Sequence, residues 1–244
     1  FDVKRPVVLF FFFHFGFTFP MGDEYVKRGK TLYLNIIWHQ HQPLYLDPGS
    51  DQLQGPWVRT HGTKDYYDMV AVLQHYPDVH CTVNLTSSLL HQLEEYYVRR
   101  LGPFVDTRRN KVDSKAFFAE YRGKTDPWID LALKPTAEFN AKDLEFLLSN
   151  TWNAFGISDV MYNRFPEYKA LRDKYRREGT EGLSEQERRE VKFWFYLASF
   201  DPEFLEGKVK LPVGGTIDLT GYVQKNPDSS YSLKKTITEN DCNR

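Results

Sequence analysis

Two short apolar runs, TLYLNII over residues 31–37 and VHCTVNL over residues 79–85, restrict the fold more than any other feature of this chain. Both are the length of a strand and too short for a typical helix, and both end in polar residues. Between them lies HGTKDYYDMVAVLQHY, where Tyr66, Met69, Val70 and Leu73 recur at helical spacing until Pro77 stops the run. After the second run, TSSLLHQLEEYYVRRL opens on a Thr or Ser cap and closes at Gly102. A loop bearing Pro43, Asp47, Pro48, Gly49 and Gly55 follows the first run, so residues 31–101 read strand, loop, helix, strand, helix. That order predicts βα units and an α/β chain with parallel strands. Residues 31–42 are mostly apolar without clean alternation, as expected of a strand buried on both faces.

Strand signals then stop. DSKAFFAEY, NAKDLEFLLSN, SDVMYNRFPEYKALRDKY and SEQERREVKFWFYLA predict helices across residues 103–200, a helical insertion after the second strand. Ser184 and Glu187 stand at capping-box spacing at the start of the last. Over residues 201–244, KVKLPVGGTIDLTGYVQKNPDSSYSL reads as short hairpin-like or irregular pieces with turns at GG and NPDSS. TITENDCNR then offers Thr238 as a cap with Asp241 three residues on, and the helix it begins has about one turn before Arg244. Residues 21–244 therefore read as the N-terminal part of a longer domain.

Residues 1–20, FDVKRPVVLFFFFHFGFTFP, hold eight of the 19 phenylalanines and precede Met21. The run is too short to span a bilayer, and it lacks an initiating Met and a small-residue cleavage site. It reads as a leader-like segment that joins no element of the domain, with a truncated export signal as the alternative. A cytoplasmic location follows from the first reading.

Bulk charge excludes whole classes. Net charge is −1 with a pI near 6.7, which gives no basic footprint for nucleic acid or an anionic membrane. The paired arginines, as in SEQERREVK, sit among acids on solvated helix faces. Cys81 and Cys242 are the two cysteines, which excludes a disulfide framework and a cysteine-based zinc site.

The first run ends in WHQHQPLY, residues 38–45. On a strand, His39 and His41 project to one face and Gln40 and Gln42 to the other. Asn84 ends the second strand with His80 and Thr82 on its face. Ligand sites of βα folds lie at such strand ends. A histidine pair there suits a metal, a proton transfer or a polar ligand. A metal-dependent barrel hydrolase would need further ligands, yet His61, His75, His80 and His91 show no ligand spacing, and HExxH is absent.

WHQHQPLY resembles the first motif, HxHQP, of glycoside hydrolase family 57, which contains α-amylases, amylopullulanases and 4-α-glucanotransferases. PWVRTHGTKDYYDM and HYPDVHCTVNLTSSLLHQL also resemble the start of that family's catalytic domain. The resemblance is specific over residues 31 to about 100 and weaker to 218. Leu44 departs from the tyrosine many members carry after the proline, and Tyr45 follows it.

The resemblance implies an incomplete, roughly seven-stranded distorted TIM-type βα barrel, a retaining mechanism without cofactor or metal, and an α-glucan or maltooligosaccharide substrate. It implies a Glu nucleophile and an Asp acid/base on later strands, about 5–5.5 Å apart. Asp126, Asp130, Glu138, Asp159, Asp201 and Asp218 sit in helical or turn contexts and match no catalytic motif, so the pair is expected downstream and the chain alone is expected to be inactive. His39 and His41 become substrate-binding residues, with Trp57, Arg59, His61 and Asn84 as further candidates. Asp65 is expected to support a helix start. A non-catalytic carbohydrate-binding remnant is the remaining alternative.

Overall fold

The computed structural model describes residues 34–211 and 215–242, and the backbone alone of residues 7–10. The chain is mixed α/β, with helices outweighing a few short strands. Strands β1 (Val7–Phe10) and β2 (Leu34–Gln40) precede two short strands, β3 (Leu46–Asp47) and β4 (Gln52–Leu53). Helices α1 (Trp57–Thr63) and α2 (Asp65–Ala71) lead to β5 (Thr82–Leu85). Helix α3 (Ser87–Gln92) runs on into a π-helical segment, Leu93–Arg99.

Strands β6 (Val105–Asp106) and β7 (Lys111–Val112) form a hairpin. Six helices follow: α4 (Ser114–Tyr121), α5 (Pro127–Leu133), α6 (Ala141–Leu148), α7 (Asp159–Arg164), α8 (Pro166–Glu178) and α9 (Glu185–Leu197). Helix α10 (Pro202–Glu206), hairpins β8 (Lys208–Lys210)–β9 (Thr216–Asp218) and β10 (Val223–Lys225)–β11 (Tyr231–Leu233), and α11 (Glu239–Cys242) complete the order.

Strands β2 and β5 are parallel neighbours, with His39 opposite Asn84 and Gln40 opposite Leu85. The intervening α1 and α2 supply the crossover that parallel pairing demands. Strand β1 adds to the other edge of β2, also parallel, with Val7 opposite Leu34 and Phe10 opposite Ile37. The expectation that residues 1–20 join no element of the domain falls, apart from the backbone of Val7–Phe10, outside the described residues. An open strand edge is a template for any β-prone apolar run, and VVLF is one. The side chains of Phe10–Phe13 lie outside the described residues.

The sheet is not the core. Leu34, Val83 and Leu85 are exposed, and Ile36, Ile37 and Trp38 are only half-buried, so the expectation of a strand buried on both faces is corrected. Three strands offer little area, and the helices bury their apolar faces on one another instead. One buried cluster packs Trp128, Leu147, Tyr162, Tyr168, Val191 and Trp194 from α5–α9. A second packs Leu53, Val58, Leu89, Tyr96, Phe117 and Ile129.

Local rules explain the helix ends. Asn140 with Asp143, and Ser184 with Glu187, form complete capping boxes on α6 and α9. Pro166 starts α8 and separates it from α7, because proline lacks the N–H that a continuous helix would need there. Gly179, with φ of 70°, ends α8 in the left-handed region that glycine enters without strain.

Asp126 links the two clusters. Its side chain is fully buried, accepts the backbone N–H groups of Trp128 and Ile129 at 2.8 and 3.0 Å, and accepts the Tyr97 hydroxyl at 2.8 Å. The Arg59 guanidinium stands 3.4 Å from its other side. Asp126→Ala removes an N-cap and leaves the largely buried Arg59 charge unpaired, a combination expected to cost about 3–5 kcal/mol in chemical denaturation. A loss below about 1 kcal/mol would refute the linking role.

Asp130 sits one helical turn on. Burial, seconded by the neighbouring Asp126 carboxylate, pushes its pKa from 3.8 up to about 6, against the pull of the Gly123 N–H. An acid whose folded pKa lies above its unfolded one stabilises the fold only while protonated, so this contribution is present below about pH 4 and gone above about pH 6. The stability of Asp130→Asn relative to the parent is therefore expected to improve by about 1–3 kcal/mol between pH 4 and pH 7, read from denaturation midpoints.

Candidate functional site

The motif begins on a strand and ends on a loop. Along β2 and just beyond it, Gln40 and Gln42 are buried while His39 and His41 are exposed, as the two-residue period requires. The imidazoles stack with ring centroids 5.6 Å apart and planes 22° from parallel. The buried glutamines hold this shelf. Gln42 donates to the Tyr66 hydroxyl at 2.9 Å and accepts from the Tyr45 hydroxyl at 2.7 Å, and its carbonyl accepts from Ser88. Gln92, fully buried on α3, bridges the Pro43 carbonyl and the Tyr45 N–H at 2.9 and 3.0 Å. Gln40 reaches the Met69 sulfur at 3.5 Å.

The shelf forms one wall of a concavity of about 650 Å³. Helices α1 and α2 supply the facing wall through His61, Asp65, Tyr66, Asp68 and Met69. His61 Nδ1 is hydrogen-bonded to Asp65, and Lys64 Nζ lies 3.1 Å from Asp65 and 3.3 Å from Asp68. The hydrogen bond from His61, with Lys64 beside it, holds the Asp65 carboxyl below the usual carboxylate range. Burial, with the Asp201 carboxyl adding to it, pushes Asp68 up to about 6, with Lys64 opposing. The concavity thus presents two stacked imidazoles, a third imidazole fixed by a carboxylate, and a carboxyl that carries a proton in mildly acidic solution. Such groups bind hydroxyls and hold protons at defined positions.

The candidates separate into two groups. His39, His41 and His61 line one concavity. Asn84 is exposed beside His39 in register but does not line it. Arg59 faces the other way. Its guanidinium is committed to Asp126 and lies over the Tyr196 ring at 5.3 Å, lining a separate mainly apolar cavity of about 320 Å³. Burial lowers its pKa, and Asp126 more than compensates, so it stays charged. Trp57 is half-buried, packed between Tyr45 and Trp152 at centroid distances of 4.7 and 5.4 Å.

Asp65 does stand in the first turn of α2, as expected of a helix-start acid, yet it also orients His61. The sequence reading gives no site role to Asp68, Tyr66 or Gln92, and Gln42 is the glutamine of HxHQP itself. The i, i+4, i+7 spacing of His61, Asp65 and Asp68 was the available signal for one face.

The remaining acids serve the scaffold. Asp126 and Asp201 are N-caps of α5 and α10, Asp159 is in the first turn of α7, Glu138 in a 3₁₀ turn and Asp218 is held by Thr220. Among the described residues, no three His, Cys, Asp or Glu side chains converge to hold a metal ion. Among them, too, no helix is long and apolar enough to cross a membrane.

No curated protein and no solved structure matches this chain. Residues 35–239 match the sequence model of a family described as glycosyl hydrolase family 57. The matched span begins at the strand bearing His39, covers every wall of the concavity and takes in most of the chain, which therefore belongs to glycosyl hydrolase family 57.

Proposed function

We propose that this chain forms the substrate-binding N-terminal part of a retaining α-glucan hydrolase or transglycosylase of cytoplasmic carbohydrate metabolism, built on an incomplete seven-stranded barrel. The observation that carries the reading is the exposed, stacked His39–His41 pair, locked by Gln42 and Gln92 at the end of a parallel strand. Two imidazoles on one rigid shelf hydrogen-bond neighbouring hydroxyls of a sugar ring and orient it for attack at the anomeric carbon. His61, fixed by Asp65 across the concavity, adds a third contact. Asn84, beside His39 in register, and Trp57 extend the same reading, whereas Arg59 belongs to the scaffold.

A retaining reaction needs one carboxylate to attack and one carboxylic acid to protonate the leaving oxygen. Asp65 and Asp68 are the carboxyls lining the concavity, and both are engaged by the same lysine. Their ion pairs favour a supporting role, so bond cleavage is assigned to a Glu–Asp pair outside this chain. Hydrolysis and transfer share the glycosyl-enzyme intermediate and differ only in whether water or a sugar accepts it.

Purified chain is expected to bind maltooligosaccharides without turning them over. His39→Ala or His41→Ala is expected to weaken binding about 3–10-fold, the worth of one hydrogen bond. Titration calorimetry with maltoheptaose and a reducing-sugar assay on starch check both. Turnover lost on substituting Asp65 or Asp68 would overturn the assignment of the carboxyl pair, and unchanged affinity in both histidine variants would overturn the shelf.

A further inference from the structure

Trp152 is 61% exposed, although a tryptophan is among the costliest side chains to leave in water. Its backbone is nevertheless tightly fixed. The Trp152 N–H donates to the Asn150 side chain at 2.6 Å, and the Asn153 amide donates to the Asn150 carbonyl at 2.6 Å. The Phe155 N–H donates to the Asn153 side chain at 2.8 Å, and the Ala154 N–H to the Leu147 carbonyl at 2.8 Å. The fully buried Tyr168 donates to the Ala154 carbonyl, which anchors the turn in the helical core.

The ring does not stand alone. Trp152 meets Trp57 edge-to-face, with planes at 85° and centroids 5.4 Å apart. Trp57 packs on Tyr45 at 4.7 Å, and Tyr45 donates to Gln42 of the histidine shelf. Trp57 is itself closed in, because a Cβ on Gly55 would come within 2.6 Å of its indole. Three rings thus run from the shelf to the surface, and the one presented outward is Trp152.

We infer that Trp152 is an aromatic platform on which a glucose ring of a bound α-glucan stacks, a subsite joined to the His39–His41 shelf through Trp57 and Tyr45. The inference rests on the α-glucan reading above and deepens it. A pyranose offers a flat apolar face of C–H bonds and a rim of hydroxyls, the complement of a largely exposed indole that a neighbouring ring holds in place. Holding the ring in place beforehand removes the ordering cost that a mobile tryptophan would add to binding. Trp57, the ring expected from its motif to meet the sugar, becomes the support beneath the platform.

The test is calorimetric titration of maltoheptaose, with cellohexaose as control, into the whole chain and into Trp152→Ala and Trp152→Phe, each first shown by thermal melting to be folded. Maltoheptaose affinity is expected to fall about tenfold in Trp152→Ala and to stay within about twofold in Trp152→Phe. Equal binding by the parent and Trp152→Ala would overturn the platform while leaving the α-glucan reading intact. No maltoheptaose binding by the parent, or tighter binding of cellohexaose, would overturn the α-glucan reading and the platform with it.

Discussion

The structure depends most on the Asp126 carboxylate. Three independent requirements meet on it: the first N–H groups of α5 need an acceptor, the Tyr97 hydroxyl needs one, and Arg59 needs a counter-charge. Each alone is a modest interaction. Together they fix α1, the π-helical segment after α3, and α5 against one another. A fully buried carboxylate is tolerated only when every lone pair is used, and here hydrogen bonds and a cation use them. Burial, with the Asp126 charge added, raises the Tyr97 pKa, so the phenol stays a donor. Because α1 also carries His61, the same carboxylate holds one wall of the concavity in place.

The opposite wall is held by amides rather than charges. Gln42 and Gln92 each use both ends of the side chain, donating on one side and accepting on the other. A carboxylate in either position could not donate, and a lysine could not accept. Neutral amides therefore pin the loop without placing a charge beneath it. The shelf keeps its hydrogen-bonding capacity for a ligand because its own backbone and neighbours are satisfied from below.

Much of this was legible in the sequence, and for a physical reason. The β2–β5 pairing followed from two apolar runs with a helix-length spacer, since parallel strands need such a crossover. The capping box on Ser184 and the His39/His41 alternation are short-range rules, and both hold. What the sequence does not show is long-range. Nothing in PWVRTHG tells that Arg59 will meet Asp126, 67 residues away, or that Trp57 will be covered by Trp152. The pairing of Val7–Phe10 with β2 was equally hidden, because strand partners are chosen by whichever edge is left open. Burial of β2 was misjudged because an apolar run reports what a strand can bury, not what its neighbours supply.

The arrangement separates holding from acting. Acids that lie near the histidines are drawn into local pairs: Asp65 to His61 and Lys64, Asp68 to Lys64. Acids farther away cap helices. Charged groups occupied in this way change little when a neutral sugar arrives, which is the behaviour required of a binding wall. Reacting carboxyls require the reverse, two groups left under-satisfied and facing a gap of about 5 Å, so that charge can develop between them. A wall whose two carboxyls are held by one lysine positions a ring well and reacts with it poorly. The histidine shelf and the ring of Trp152 fit that division, since imidazole edges and an indole face distinguish a sugar by its shape and hydroxyls without needing to exchange charge with it.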